Sequence, residues 1–454
     1  NNVLADGGTL NVNGGTFNIA GYSDTVGGVT LTNGTIAGTT GVLTSTGNYD
    51  VRQGFVSADL AGAVGLDKTT AGTVTLSGTN TYAGATNVNQ GTLSIAHANG
   101  LGSPSTGTIV ADGATLNIDN VHVGAEPVTL DGHGHLNAGA LTANGDAALA
   151  GAVTLTSTAW IGLTGPGALS FTGPLNAAVD FSQNLFVTAG GGHVTFAGPV
   201  GAIHPLNNLD IASAAGVTFG NSVYSDNLTI TNGGTVDFIG NVNTPSGFTC
   251  TAATFDNIGA GVTVAGGNID ITTSGAMTLG SLNAGAGDLT LNAGGTINSG
   301  SLRAGMIDIT AATIGLTSRV TTYVDQNSIF FNLSDQDGEG TSGHLIAGGT
   351  YYDFVVPSDH ITATTPGKII YDSEFGSGST VWLPIISNLE GTISSLNALS
   401  TEQEKLDQEA RQSTGADFFI TPPLDLYIEM EDEKMEEVDN SLSSLYLERF
   451  YSAR

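Results

Sequence analysis

From Gly8 to about Ile314 the chain repeats one short phrase, in which apolar side chains alternate with Thr, Ser, Asn or Asp until a Gly, Asn-Gly or Gly-Gly closes the run. Gly28-Val-Thr-Leu-Thr-Asn33, Gly72-Thr-Val-Thr-Leu-Ser77, Gly91-Thr-Leu-Ser-Ile-Ala96, Ala114-Thr-Leu-Asn-Ile-Asp119, Asn227-Leu-Thr-Ile-Thr-Asn232 and Asn268-Ile-Asp-Ile-Thr272 are instances. Period-two alternation rich in β-branched residues predicts short strands, each with one dry face. Sandwiches use longer strands around aromatic-rich cores, whereas only 7% of this chain is aromatic and the phrase recurs at a spacing of roughly 20 residues. Such recurrence predicts an all-β solenoid, a parallel β-helix whose coils share one core because no coil can bury its face alone. At about 20 to 25 residues per coil the body holds roughly 16 to 19 coils, a rod ~80 Å long at the inter-strand spacing.

Two changes of texture divide the chain into residues 1–315, 316–399 and 400–454. After Leu316 the rhythm loosens and aromatics gather (Tyr323, Phe330, Phe331, Tyr351, Tyr352, Phe354, Tyr371, Phe375, Trp382). That segment reads as irregular terminal coils or a β-rich cap, since end repeats are atypical. From Ser400 the sequence becomes a short acidic tail, with a capping-box start at Ser400-Thr-Glu-Gln-Glu404 and a short helix expected to about Gln412. An extended stretch over Asp417–Met430 follows, then an amphipathic helix carrying Met435, Val438, Leu442 and Leu445.

Charge sharpens this division. The 454 residues carry 41 Asp and Glu against 10 Lys and Arg, a formal charge of −31. Thr401–Arg454 holds 14 of the acidic and 5 of the basic residues, so the tail is several times more highly charged than the body. So acidic a surface repels phosphate and anionic lipid, which argues against nucleic acid and against membrane association. No run reaches the ~18 apolar residues of a membrane-spanning helix, so membrane insertion is not expected. Cys250 is the single cysteine, which excludes a disulfide framework.

Lys68, Gly72-Thr-Val-Thr-Leu-Ser-Gly78, Asn80-Thr-Tyr-Ala-Gly84 and Gly91-Thr-Leu93 stand in an order that resembles the passenger-associated repeat of bacterial autotransporters. The stretch Leu279–Ile314, with Gly287-Asp-Leu-Thr-Leu-Asn-Ala-Gly-Gly-Thr-Ile297, is similar to repeats of filamentous-haemagglutinin-like exoproteins of two-partner secretion. The two resemblances imply a right-handed parallel β-helix exported by a Gram-negative bacterium with an outer-membrane secretion partner, and an extracellular or cell-surface location. Neither a membrane-anchoring barrel nor an amino-terminal secretion module is recognisable, so a mature exported fragment, a released passenger or a two-partner exoprotein trimmed at both ends is expected. The tail resembles neither family.

Candidate chemistry is sparse. His122, His133 and His135 could share a metal if the last two lie on one strand face, but Gly134 between them favours a turn and exposed corner histidines. Asp335, Asp337 and Glu339 alternate as in part of a calcium loop. The remaining ligands of such a loop do not stand at the required spacing, so an acidic solvated turn is the favoured alternative. Calcium is the one cofactor considered. Polysaccharide-cleaving β-helices need clustered carboxylates with a cation, whereas the body's cations Arg52, Lys68, Arg303, Arg319 and Lys368 are scattered and no such cluster is legible. No catalytic residue is expected, and the chain reads as a non-enzyme.

The leading expectation is a secreted structural or adhesive solenoid that stacks end to end into a homopolymeric filament, since the chain opens inside a repeat without a capping helix. Its tail would dock on a neighbouring copy or back along the rod through Phe418, Phe419, Ile420, Leu424, Tyr427, Leu442, Leu445 and Phe450. The alternatives are a monomeric adhesin binding a host receptor or a host or matrix glycan through side loops such as Asp335–Gly349, and, third, a glycan-cleaving enzyme.

Overall fold

The computed structural model describes residues 4–213, 215–263 and 267–316, together with the strand backbones Val320–Thr322, Ile329–Leu333, His344–Gly348, Ile361–Ala363, Lys368–Asp372 and Leu383–Pro384. It falls into two compact units, Asn1–Thr290 and Leu291–Arg454. Within each unit the described strands, apart from Leu383–Pro384, pair in parallel as coils of a β-solenoid, about 15 turns in all.

In the first unit the coils are built as the alternation demands. On one face, Ala147–Leu149 pairs with Ala168–Phe171 of the next turn. The long strand Val153–Leu163 bends across two further faces, its first part pairing with Leu175–Ala177 and its second with Leu185–Gly190. Coil length is not constant: Tyr49 meets Leu66 across a short coil, whereas Val128 meets Val153 across a much longer one. Differences are absorbed at the corners, so apolar positions still meet apolar positions. Val29, Leu31, Val74, Leu76, Leu93, Ile95, Leu116, Ile118, Leu228, Ile230, Ile269 and Ile271 are all buried. Thr30, Thr75, Asn117, Thr229 and Asp270, which alternate with them, face outward, whereas Ser94 is buried.

Parallel register turns the core into columns of like residues. Phe171, Phe196, Phe219 and Phe238 are successive partners on four coils. Their rings stack at centroid distances of 5.3, 5.1 and 4.7 Å, and each is almost fully buried. The same logic imposes glycine at tight corners. Gly54 has φ +129°, and a Cβ there would lie 2.1 Å from the carbonyl oxygen of Gly34, itself at φ +110° above Gly15. Only a residue without a side chain lets one coil pass so close over the next.

The second unit keeps parallel register through its described strands: Thr296–Ser299 pairs with Thr313–Leu316, and that strand with His344–Gly348. His344–Gly348 then pairs in parallel with Lys368–Asp372, and Leu383–Pro384 joins the latter in antiparallel fashion.

Removing an inner ring of the phenylalanine stack tests the column as the source of stability. Phe219→Ala should destabilise the solenoid by about 3–5 kcal/mol, whereas Thr195→Ala, on an outward position of the same sheet, should change it by less than about 0.5 kcal/mol. The shift in the denaturant midpoint of each variant, followed by circular dichroism, reads both outcomes.

Candidate functional site

The richest chemistry among the described residues lies around residues 48–126, where polar side chains occupy both surfaces of the wall. Strand Leu66–Lys68 is inward at Leu66 and Lys68 and outward at Asp67. Alternation therefore drives a lysine into the core, and Lys68 is fully buried. Its ammonium donates to the carbonyls of Thr70 and, at 2.9 Å, Gln90. Burial lowers its pKa to about 8, with the Asp50 charge acting in the opposite sense. Lys68 thus ties its own coil to the next through carbonyls left free at a corner.

Further polar groups continue through the interior. The Tyr49 hydroxyl lies 2.6 Å from the carbonyls of both Leu43 and Ala61, and its ring is 6.1 Å from that of Tyr82. Tyr82 and Thr86 share a hydroxyl hydrogen bond of 2.6 Å, and Thr86 reaches the Leu101 carbonyl at 3.2 Å. Burial pushes both tyrosine hydroxyls well above their ordinary pKa. One coil on, Thr108 is the register partner of Thr86 and donates to Glu126 Oε1 at 2.8 Å. Glu126 is only 4% exposed, and its other carboxyl oxygen has no hydrogen-bond partner among the described residues. Burial raises its pKa to about 7, the Thr108 hydrogen bond pulling the other way. The carboxyl is therefore held largely protonated in mildly acidic surroundings.

The outer surface carries a carboxylate pair that the sequence did not reveal. Asp50 and Asp67 are register partners on neighbouring coils. Arg52 forms a 2.7 Å ion pair with Asp50, and Thr69 donates to the other Asp50 oxygen at 2.6 Å. Asp67 accepts from Asn48 at 3.0 Å and Asn87 at 2.8 Å. The expectation that no paired carboxylates stand beside a cation is corrected here: the offset of one coil brings together groups that look scattered in one dimension. The pair is nevertheless arranged as scaffold. Burial works against ionisation of Asp50, but Arg52, Thr69 and the Lys68 charge outweigh it and hold its pKa low. A second pair, Asp237 and Asp256, is also in register; burial and then the Asp256 charge raise the Asp237 pKa.

The histidines do not converge. His122 lies exposed on a strand of one sheet. His133 follows a strand of another and stacks on Trp160 at 3.6 Å, while His135 opens the short helical turn His135–Asn137 after Gly134, at φ 78°. Among the described residues no group of three or more His, Cys, Asp or Glu could hold a metal ion. Cys250 is buried, and burial pushes its thiol pKa up. The calcium candidates Asp335, Asp337 and Glu339 and the docking residues Phe418, Phe419, Ile420, Leu424, Tyr427, Leu442, Leu445 and Phe450 lie outside the described residues. No helix among those described is long and apolar enough to cross a membrane.

Lys68, Tyr82 and the glycines around them are thus one structural unit, a coil cross-braced from within. Residues 66–95 match the passenger-associated-transport-repeat model. The match covers the coil that holds Lys68, Tyr82 and Thr86, so that part of the polar interior lies within the repeat, while Tyr49, Thr108 and Glu126 flank it. It bears out the autotransporter side of the resemblance, and a passenger repeat in a β-solenoid marks an exported or cell-surface protein. No curated protein and no solved structure matches the chain.

The buried carboxyl beside the repeat makes stability depend on pH. Because the folded-state pKa of Glu126 is raised from 4.5 to about 7, its contribution is fully present below pH ~4.5 and is lost as pH rises through about 7. Stability should therefore fall by up to about 3 kcal/mol between pH 5 and pH 8, read as a lower melting temperature. Glu126→Gln should flatten that slope; a slope unchanged in the variant would assign the pH dependence to other groups.

Proposed function

We propose that the chain is the exported structural passenger of a bacterial surface protein, and that its product is the solenoid itself rather than a reaction. The observation that carries this reading is the passenger repeat embedded in a ladder of parallel coils with one shared core. Support also comes from the way its polar chemistry is spent. Lys68, Tyr82, Thr86, Asp50 and Asp67 are occupied in bracing coils to one another, which leaves them poorly placed to act on a substrate. A general acid and a free carboxylate flanking a cleft, as glycoside cleavage needs, are not assembled around the Asp50–Asp67 pair.

The finer proposal is self-assembly. Every coil is made to be covered by a copy of the same phrase, so a coil without a neighbour presents unpaired backbone groups and a hydrophobic column to the next chain. End-to-end stacking of identical chains satisfies both. Export through an outer-membrane partner, and docking of the tail through Phe418 to Phe450, belong to the same proposal. The alternative of a monomeric adhesin predicts a different hydrodynamic species.

Purified chain, followed by sedimentation velocity and negative-stain electron microscopy over a rising concentration series, should convert from monomer to thin unbranched fibres. Truncation after Ser400 should then shorten or abolish the fibres. A species that stays monomeric at high concentration while binding cells would replace the filament by the adhesin.

A further inference from the structure

In the first unit, one outward column passes through Asn208, Asn227, Gly247 and Asn268 on successive coils. It begins as an amide ladder. Asn208 donates to Asn184 at 2.9 Å, and Asn227 donates to Asn208 at 3.1 Å. At Gly247 the ladder loses a rung, and Asn268 instead takes the backbone N–H of Asp288 at 3.0 Å. The missing side chain opens a cleft of about 420 Å³, lined by Asn227, Thr229, Ser246, Thr249, Asn268 and Asp270. A Cβ at Gly247 would come within 3.3 Å of Asn227 Oδ1, so a side chain there would begin to fill it.

Beside the notch, two residues further along each strand, runs the column Thr229, Thr249, Asp270. Their hydroxyls and carboxylate make no side-chain hydrogen bond among the described residues and line the cleft. Ser246, on the rim, donates to Asp226 at 2.7 Å. The cleft therefore offers two hydroxyls able to donate or accept, a carboxylate that accepts twice, and amide groups at either end.

We propose that this notch is a subsite for one pyranose unit of a neutral glycan. A row of small hydroxyl, amide and carboxylate groups matches a polyol, whose adjacent hydroxyls can both donate to the carboxylate of Asp270 while Thr229 and Thr249 meet its other oxygens. A peptide fits poorly: strand addition needs an unpaired edge, and backbone groups on this face are committed to the parallel ladder. The one apolar side chain in the lining, Leu228, is buried beneath it. Charge narrows the class further. Between Lys68 and Arg303 the sequence has no lysine or arginine, so nothing here neutralises a uronate or sialic acid, and Asp226 and Asp270 repel one. Size agrees as well, since the cleft crosses three coils, about 10 Å at the strand spacing, and small-ligand clefts begin at about 300 Å³. The proposal is independent of self-assembly, because the cleft lies on the side of the wall.

Affinity electrophoresis of the full chain in native gels tests it, with dextran, mannan, galactan and xylan as neutral polymers, alginate as the anionic one and chitosan as the cationic one. Retardation by at least one neutral polymer, and none by alginate, is expected. Gly247→Asn restores the missing rung and should weaken retardation about tenfold or more, as should Asp270→Ala, with melting temperatures close to that of the parent chain. Thr249→Ala, at an exposed position, carries the test if the Gly247 variant does not fold. Absence of retardation by every neutral polymer, retardation by chitosan alone, or retardation unchanged in the Gly247, Asp270 and Thr249 variants would each overturn the assignment.

Discussion

Parallel pairing of each coil with the next, at a spacing of about 4.8 Å, is the constraint on which everything else rests. It makes a single pair of alternating faces repeat along an axis, and it converts any residue type recurring at one place in the coil into a column. Inward columns become hydrophobic stacks, such as Phe171, Phe196, Phe219 and Phe238. Outward columns become ladders of amides and hydroxyls, such as Asn184, Asn208 and Asn227. Stability is thereby shared among neighbours rather than held in one centre.

The same constraint explains why charge is scarce in the coils. A like charge repeated every few ångströms would repel its neighbours, so carboxylates in register need a partner or a raised pKa. Asp50 and Asp67 take the first course, through Arg52, Thr69, Asn48 and Asn87. Asp237, in register with Asp256, takes the second. Inside the wall, Lys68 and Glu126 are tolerated because corners leave carbonyls and hydroxyls that must be satisfied somewhere. The passenger repeat concentrates this interior polarity, with Lys68 bridging Thr70 and Gln90 and Tyr82 bridging to Thr86.

The proposed glycan subsite lies where a column is interrupted. Gly247 removes one amide from a ladder and leaves a cleft, while the backbone beneath continues undisturbed. A solenoid can thus acquire a binding surface by losing a side chain, without changing its fold, and the structural and recognition readings of this chain are compatible for that reason.

Much of the fold was legible in the sequence because period-two alternation and recurrent Gly-Thr-apolar phrases are local signals, and local signals suffice to define coils that stack on copies of themselves. Lys68 could also have been placed inside, since it follows Leu66 at a spacing of two in a strand. The burial of Glu126 had no such signal: it sits just before Pro127 at a corner, outside any alternating run. The Asp50–Asp67 pair and the Gly247 notch were beyond reach for a different reason. Coil length varies, short between Tyr49 and Leu66 and long between Val128 and Val153, so which residues meet across the wall depends on how each corner absorbs or omits part of the chain. Alternation along the chain determined which side chains face in or out; register between coils, a property of the folded stack alone, decided which of them became neighbours.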